Sequence, residues 1–357
     1  MLCPRCHREY PADQVRCAQD GEELTSDPEI ELVWSDPTPD TGTVYSKRYV
    51  VKGLLGAGAM ARVYLAEDAL TRKLAAIKVL DGVEAKAPEE RERFLREART
   101  IEAIAHPNIV HLMDAGQRRD GAPYLVMEYL YGETLGEMIR REPQVEPRAA
   151  VWIARQIASA LAAAHAAGVI HRDVKPDNVF LVGEPGNFHA LKLVDFGLAR
   201  LQGQSGLTAV GVTVGTLEYM APEQTVKDPT GPRTDVYALG VVLYRMLTGQ
   251  LPFVGSDTQV LAQHLITPPA SPGSLVPGLD PRVESIIQTA LRKLPRNRYP
   301  SMEDMLEDLE RMLGQRTGDV VAGSTLETDI YRPQGAYAKN IASILYKKLG
   351  KEAPRWE

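Results

Sequence analysis

The stretch that decides the fold runs from 171 to 178 and reads His-Arg-Asp-Val-Lys-Pro-Asp-Asn. The Asp173 carboxylate can accept a proton from an attacking hydroxyl group, and the Lys175 ammonium can hold a phosphoryl oxygen. Asn178 adds an amide oxygen, which suits a hard cation such as Mg²⁺. Pro176 can neither continue a helix nor donate to a strand, so we predict a loop that carries the other three side chains. The alternative is a charged surface turn, and the surrounding sequence distinguishes the two.

The composition is that of an ordinary globular protein. The 357 residues are 44% hydrophobic, which suits one large domain with small additions. The formal net charge of -6 provides no basic field for nucleic acid, and no uncharged run is long enough to span a membrane. The N-terminus lacks the apolar core of a signal peptide. We therefore expect a cytoplasmic protein with neither a nucleic-acid partner nor a membrane span.

Two charged residues fall in apolar surroundings and are predicted to pair. Lys78 lies inside the apolar run from 75 to 80, which we predict to be a strand. Glu97 lies in a helical pattern from 88 to 105, on the same face as Ile101. A buried charge without a partner is costly, so each of the two needs an opposite charge. The sequence therefore predicts an ion pair between Lys78 and Glu97.

Glycines mark a predicted turn between two strands upstream of Lys78. Gly56 and Gly58 stand between strand-like runs at 50–55 and 61–65. A glycine-rich turn lets backbone N–H groups approach phosphate oxygens without side-chain obstruction. A pattern of this kind is weak by itself, and it gains weight from the motifs that follow it.

Taken in order, six motifs resemble the catalytic domain of a protein kinase. Their order over residues 48–314 makes a chance assembly negligible. The runs from 58 to 63 and from 218 to 224 are similar to those of bacterial eukaryotic-like serine/threonine kinases. The resemblance implies an α+β, two-lobed protein kinase fold with a strand-rich N-lobe and a helical C-lobe. The six motifs are the glycine-rich turn, the strand lysine, the helix glutamate, the loop from 171 to 178, Asp195-Phe196-Gly197 and Ala221-Pro222-Glu223.

The resemblance implies an enzyme that transfers the γ-phosphate of ATP to serine and threonine hydroxyls of protein substrates in signalling. Asp173 would act as the base, and Lys175 would contact the transferring phosphoryl group. Lys78, held by Glu97, would position the other phosphates. Two further side chains would hold Mg²⁺, for which Mn²⁺ can substitute. The implied catalytic residues are Asp173, Lys175, Lys78 and Glu97, and the implied magnesium ligands are Asn178 and Asp195.

The resemblance places the nucleotide between the lobes. Met127 would stand behind the adenine, and backbone groups of Glu128 and Leu130 would bond to it. Ala61 stands where the family has a third glycine, and alanine is small enough for phosphate approach at some loss of flexibility. The implied ATP-binding residues are Leu55, Gly56, Ala57, Gly58, Ala59, Met60, Ala61, Arg62, Val63, Ala76, Lys78, Met127, Glu128, Leu130 and Phe180.

Two long-range contacts are implied as well. Glu223 would bond to Arg298 across the C-lobe, and Asp235 would brace the backbone of the catalytic loop. Both contacts join residues that are far apart in the chain, so both depend on the implied fold.

The resemblance also implies a phosphorylation switch. Arg172 directly precedes Asp173, an arrangement that reads a phosphate on the activation segment in the family. We expect autophosphorylation at Thr208, with Thr213 as a second regulatory candidate, and we assign Thr216 to the substrate side. The alternative is a segment that is ordered without phosphate.

Residues 1–24 carry all three cysteines in a pattern that resembles a short zinc ribbon. Two pairs of ligand-type residues each have two residues between their members. Zinc accepts sulfur, nitrogen or oxygen ligands in a tetrahedron, and so short a unit has too little core to fold alone. The alternatives are His7 or water in the fourth position, or a metal-free unit with reduced thiols. The expected zinc ligands are Cys3, Cys6, Cys17 and Asp20.

The remaining segments are a linker and a tail. Residues 25–47 form an acidic linker with several prolines. Residues 315–357 form the tail, in which the pattern from 336 to 349 predicts an amphipathic helix. The predicted apolar face carries Ile341, Ile344, Leu345 and Leu349. We favour a helix folded back on the kinase domain, and the alternative is a protein partner bound at this helix or at the N-terminal unit. The kinase domain itself is expected at 48–314.

Two other functional classes stay open on the sequence alone. A pseudokinase would bind nucleotide or act as a scaffold, and Ala61 is the motif departure that favours it. An adaptor would use the zinc unit and the tail as binding modules, with kinase activity secondary. The active kinase is preferred because the residues that carry the chemistry are all present, namely Lys78, Asp173, Asn178 and Asp195.

Overall fold

A computed structural model describes the chain at residues 14–16, 38, 40–58, 61–80, 95–96, 98–196, 217–314, 331–334, 336–348, 351 and 354. Over these ranges a strand-rich N-lobe precedes a helical C-lobe, as predicted. Among the helices described, none is both long enough and apolar enough to cross a bilayer. The strands are β1 (Val44–Tyr45), β2 (Tyr49–Ala57), β3 (Ala61–Asp68), β4 (Leu74–Leu80), β5 (Leu112–Gln117), β6 (Pro123–Glu128), β7 (Gly132–Thr134), β8 (Val179–Glu184) and β9 (Asn187–Leu193). The helices are α1 (Leu135–Arg141), α2 (Pro147–Ala166), α3 (Pro222–Thr225), α4 (Pro232–Thr248), α5 (Asp257–Ile266), α6 (Pro272–Leu275), α7 (Pro281–Ala290), α8 (Met302–Gly314) and α9 (Ala336–Lys348).

The N-lobe is an antiparallel sheet in the order β1-β2-β3-β4-β6-β5, and β7-β8-β9 form a second, smaller sheet. Strand β4 is an inner strand, with Val63 of β3 and Leu125 of β6 on either side of Lys78. Ile77 and Val79 are buried in the N-lobe core. Because side chains alternate along a strand, Lys78 lies on the opposite face of the sheet. The lone lysine in the apolar run is therefore presented from a strand that is paired on both sides.

The C-lobe is built around α4, which is buried on nearly every side. A helix that is apolar all round belongs in a protein interior. It ends at Gly249, whose φ of 72° suits glycine. Helix α2 packs beside α4, and its first turn is capped by Glu146, which accepts from the backbone N–H groups of Arg148 and Ala149. After α2 the chain turns at Gly168, with φ 78°, into the catalytic loop.

A buried ion pair ties α3 to the rest of the C-lobe. Arg298 donates to both carboxylate oxygens of Glu223 at 2.8 Å, and the Thr234 hydroxyl donates to the same carboxylate at 2.8 Å. Arg298 also donates to three backbone carbonyl groups. Both charged side chains are almost wholly buried. The contact between Glu223 and Arg298 that the sequence predicted is confirmed.

The C-terminal helix α9 lies against α5. Ala338, Ala342 and Leu345 are buried in one apolar cluster with residues of α5. Ile344, which the sequence placed on the apolar face, is instead 49% exposed. Ala338 and Ala342 are four residues apart and so lie on the same face of α9, where their small side chains let α9 pack closely on α5. Ile344 lies off that face. Leu349, also predicted on this face, lies outside the described residues.

Arg298→Met is expected to lower the free energy of unfolding by about 3–5 kcal/mol, because Glu223 would stay buried without its partner. Urea denaturation of the full chain measures the loss. Arg311→Met is the matched control, since Arg311 pairs with Glu307 on an exposed face of α8, where such a pair contributes about 0.2–1 kcal/mol. Equal losses in the two variants would contradict a special role for the buried pair.

Candidate active site

Three of the predicted residues meet where the loop after α2 leads into β8. The Lys175 Nζ lies 3.0 Å from the Asp173 Oδ2. The Asn178 amide nitrogen donates twice to Asp173, to its Oδ2 at 3.0 Å and to its backbone oxygen at 2.8 Å. The range Pro176–Asn178 forms one turn of 3₁₀ helix. The structure thus places a carboxylate, an ammonium group and an amide in direct contact.

A buried carboxylate, that of Asp235, holds this loop from behind. It accepts from the backbone N–H groups of His171 at 2.9 Å and Arg172 at 2.8 Å. A third bond comes from the His165 Nε2 at 2.8 Å. Asp235 lies in the first turn of α4, where the helix dipole also favours a negative charge. The predicted brace of the catalytic loop is confirmed.

The ring of His171 joins the loop to the end of β9. Its Nδ1 accepts from the backbone N–H of Asp173 at 3.3 Å, so its Nε2 is the donor to the Val194 carbonyl at 3.1 Å. The ring centroid lies 4.8 Å from that of Phe196. Burial lowers the pKa of His171, and this effect outweighs the nearby Asp235 carboxylate, which raises it. The ring is therefore neutral at neutral pH and keeps one donor and one acceptor.

Lys78, from the N-lobe, meets Asp195, from the C-lobe. The Lys78 Nζ lies 2.6 Å from the Asp195 Oδ1. Asp195 has a φ of 58°, which residues other than glycine seldom adopt. The sequence predicted Glu97 as the partner of Lys78, and Glu97 lies outside the described residues. The observed contact brings the predicted phosphate-binding and metal-binding side chains together across the two lobes.

The side chains of Asn178 and Asp195 suit a hard divalent cation. Because the Asn178 amide nitrogen donates to Asp173, its Oδ1 is the amide atom left to bind a cation. Asp195 adds a carboxylate. Mg²⁺ takes such oxygen ligands, usually one or two from the protein, and completes its shell with phosphate oxygens and water. Within the described ranges, no group of three histidine, cysteine, aspartate or glutamate side chains is placed to hold a metal.

The glycine-rich turn joins β2 to β3 and has open space around it. The Gly58 N–H donates to the Ala61 carbonyl at 2.8 Å and so closes the turn. A Cβ added at Gly56 would meet no described atom within 4 Å, and one at Gly58 would meet the Ala61 oxygen at 3.8 Å. Packing inside the protein does not demand glycine here, whereas close approach of a ligand to the backbone would. Ala59 and Met60 lie outside the described residues.

Several apolar side chains among the predicted ATP-binding residues are only partly buried. Val63, Met127 and Phe180 are each partly exposed, and Leu55 is 37% exposed. Ala76 of β4 lies opposite Met127 of β6. Partly exposed apolar groups on neighbouring strands suit the binding of a flat apolar ligand. The other predicted contacts are Ala57 at the end of β2, Arg62 on β3 and Leu130 just after β6.

Glu128, at the end of β6, makes contacts that the sequence analysis did not predict. Its carboxylate lies 2.7 Å from the Lys192 Nζ and accepts from the His111 N–H at 2.7 Å. Its own N–H donates to the His111 carbonyl at 3.0 Å. Its carbonyl oxygen is therefore the backbone group of Glu128 left to bond to the adenine base. In the sequence, the feature that pointed to the pair of Glu128 with Lys192 is a charged residue at the end of an apolar run.

Gln224 is a second residue that the sequence analysis left without a role. Its Nε2 donates to the backbone oxygen of Arg172 at 2.9 Å, next to Asp173 in the chain. Its Oε1 accepts from the Ala221 N–H at 3.0 Å. Helix α3 is thereby linked directly to the catalytic loop. The position of Gln224 immediately after the Ala-Pro-Glu motif was the signal that pointed to it.

Several predicted residues lie outside the described part of the chain. Arg172, the predicted reader of a phosphate, is described and has a φ of 64°. The phosphate sites that it would read lie between 197 and 216, which the structure does not describe. The undescribed candidates are Thr208 and Thr213 for phosphorylation, and Cys3, Cys6, Cys17 and Asp20 for zinc.

Comparisons with known proteins cover the same region. The protein kinase domain family matches residues 49–309. The serine/threonine-protein kinase PknB of Mycobacterium tuberculosis strain H37Rv is 38% identical over 273 residues, which cover 75% of this chain and 43% of that protein. The serine/threonine-protein kinase Pkn1 of Myxococcus xanthus is 41% identical over 266 residues, which cover 73% of this chain and 38% of that protein. The chain thus spans less than half the length of these relatives. The crystal structure of the Mycobacterium tuberculosis PknI kinase domain superposes with a TM-score of 0.60 at 29% identity, over 76% of this chain and 98% of that one.

Proposed function

The chain belongs to the protein kinase family, and from this premise we propose that it is an active serine/threonine kinase. It transfers the γ-phosphate of ATP to serine and threonine hydroxyls of protein substrates. The observation that carries the proposal is the contact of Asp173, Lys175 and Asn178 within one loop. The Val194 N–H donates to the Asn178 backbone oxygen at 2.9 Å, which places this loop beside Asp195. Base, cation-binding and phosphate-binding groups are thereby adjacent.

Asp173 orients the substrate hydroxyl and takes its proton as the phosphoryl group moves. Contacts from Lys175 and Asn178 to its Oδ2 fix the carboxylate in one orientation. The Lys175 ammonium also neutralises charge on the transferring phosphoryl oxygens. Phosphoryl transfer needs little covalent assistance, so positioning and electrostatic stabilisation supply most of the rate.

ATP lies between the glycine-rich turn and the catalytic loop. Lys78 holds phosphate oxygens, and the open turn at Gly56 gives the phosphates room to approach the backbone. Asn178 and Asp195 hold Mg²⁺, or Mn²⁺ in its place. When bound, the cation neutralises phosphate charge and orients the phosphates. The partly exposed apolar residues from β2 to β8 provide the contact for adenine.

Asp173→Asn is expected to lower kcat at least about 10²-fold while the fold and ATP binding persist, because an amide cannot take the proton. Lys78→Met should also cripple turnover through loss of phosphate positioning. Transfer from radiolabelled ATP to a protein substrate measures both. Asp177→Asn is the matched control, because Asp177 lies in the same loop and pairs with Arg140 at the surface; it should keep kcat within about twofold. Wild-type turnover in both active-site variants would overturn the active kinase and favour a nucleotide-binding scaffold.

The activation segment provides a second test. We propose that a phosphate on Thr208 makes charge-assisted hydrogen bonds to Arg172 and orders the segment. Mass spectrometry of the active chain should find phosphate at Thr208, and Asp173→Asn protein should lack it, because the chain phosphorylates itself. Thr208→Ala should lower turnover, whereas Ser205→Ala should not. An active preparation without phosphate anywhere from 198 to 216 would overturn the switch.

The N-terminal unit is proposed to bind one zinc ion through Cys3, Cys6, Cys17 and Asp20. In so short a unit, binding and folding are coupled. Elemental analysis of protein purified without chelator should find about one zinc per chain. Cys6→Ser should remove the zinc and leave phosphoryl transfer by residues 48–314 largely intact. A zinc content near zero with three freely titrating thiols would overturn the site, and zinc retention in His7→Ala against Asp20→Ala identifies the fourth ligand.

A further inference from the structure

The C-terminal segment, defined as residues 331–334 together with α9, is anchored to the C-lobe at both of its ends. Tyr331 is buried, and its N–H donates to the Leu265 carbonyl at the end of α5 at 2.8 Å. In α9, Ala342 and Leu345 pack on the apolar side of α5. The segment is therefore part of the packed domain, although it lies outside the six kinase motifs.

The polar anchor of the segment is Asp228, three residues after α3. The Asp228 Oδ2 accepts from the Tyr331 hydroxyl at 2.7 Å and from the Gln334 N–H at 2.6 Å. Asp228 is buried, and these two donors to its carboxylate belong to the C-terminal segment. Burial, helped by the hydrogen bond to Asp228, raises the pKa of Tyr331, so the phenol keeps its proton and donates. A buried carboxylate that lost these donors would have to move toward water.

A short path leads from Asp228 to the catalytic base. The Asp228 N–H donates to the Glu223 carbonyl at 2.8 Å, which ties Asp228 to α3. From the same short helix, the Gln224 Nε2 donates to the Arg172 carbonyl at 2.9 Å. Arg172 directly precedes Asp173. Asp228 is thus linked to the catalytic loop through two consecutive residues of α3, Glu223 and Gln224.

Apolar side chains of α9 make a second contact with the residues just before α3. Leu217 and Met220, where the described chain resumes after 196, pack on the cluster that Leu345 and Tyr346 of α9 form with Leu265 of α5. The residues from 217 to 220 lie just before α3, whose Gln224 bonds to the catalytic loop. The C-terminal segment thus supports this stretch through both a hydrogen-bonded and an apolar contact.

We propose that the C-terminal segment is a positioning element for the protein substrate, with Tyr331 and Asp228 as its positioning residues. It holds residues 217–228 in the place where a substrate hydroxyl is presented to Asp173. This inference rests on the proposed kinase function and extends it to a part of the chain outside the motifs. Its signature is a loss of kcat/KM for a protein substrate with unchanged affinity for ATP, because none of the ATP-contacting strands takes part.

Tyr331→Phe in the full chain tests the polar anchor, since it removes the hydroxyl and keeps the ring. We expect kcat/KM for casein, used as a general serine/threonine substrate, to fall about tenfold, the scale of one hydrogen bond to a charged group. The Kd of ATP should not change. Tyr299→Phe is the matched control, because the Tyr299 hydroxyl donates to Asp308 of α8 at the same distance of 2.7 Å and leaves α3 untouched. It should leave both constants within about twofold.

The apolar contact has its own matched pair of variants. Leu345→Ala removes a buried side chain of α9, whereas Ile344→Ala removes its half-exposed neighbour. Hydrogen–deuterium exchange should rise at 217–228 in Tyr331→Phe and Leu345→Ala, and should stay at the wild-type level in Tyr299→Phe and Ile344→Ala. This readout does not depend on catalysis.

The outcomes separate the two proposals. If the wild-type chain transfers phosphate but Tyr331→Phe has the same kcat/KM for casein as Tyr299→Phe, the positioning role is overturned. The proposed kinase function is then unaffected. A rise in kcat/KM for Tyr331→Phe would also overturn it, because the segment would then obstruct substrates. Unchanged exchange at 217–228 in both anchor variants would overturn the physical link. If the wild-type chain transfers no phosphate in any assay, the proposed function fails, and the positioning role falls with it.

Discussion

The position of the catalytic loop depends on three hydrogen bonds to one buried carboxylate, that of Asp235. Burying a carboxylate costs several kcal/mol unless charge-assisted bonds offset it. Here two backbone N–H groups, at His171 and Arg172, and one imidazole, from His165, provide those bonds, and the first turn of α4 adds its dipole. Because two of the three bonds go to backbone atoms, the loop is held without using the side chains that carry the chemistry.

The same brace helps to hold the strained backbone of Arg172. Arg172 has a φ of 64° and Asp195 one of 58°, and such conformations cost about 1–3 kcal/mol each in residues other than glycine. Arg172 is held on both sides, since its N–H donates to Asp235 and its carbonyl accepts from Gln224. The surroundings therefore determine the backbone just before Asp173, and the orientation of the base follows from contacts made by its neighbours.

Local patterns predicted the parts of this site that are fixed within a few residues of the chain. The catalytic loop was predicted because Asp173 and Asn178 stand close together in sequence, and the helix pattern at 336–349 gave α9. Ion pairs that depend on tertiary packing were harder to predict. The contact of Lys78 with Asp195 and that of Glu128 with Lys192 join parts of the chain that are far apart in sequence, and no spacing rule pairs them. The family pattern, rather than propensity, is what predicted the long-range pairs that were found.

The pairing of β4 on both sides has a consequence for how this chain can evolve. Lys78 stands between Val63 and Leu125 in an inner strand, and the side chains that stabilise the strand, Ile77 and Val79, face the other way. A change at Lys78 therefore leaves the ladder and the core intact. Selection on folding and selection on chemistry act on opposite faces of one strand, so descendants that lose the lysine would keep the architecture and be free to acquire a non-catalytic role.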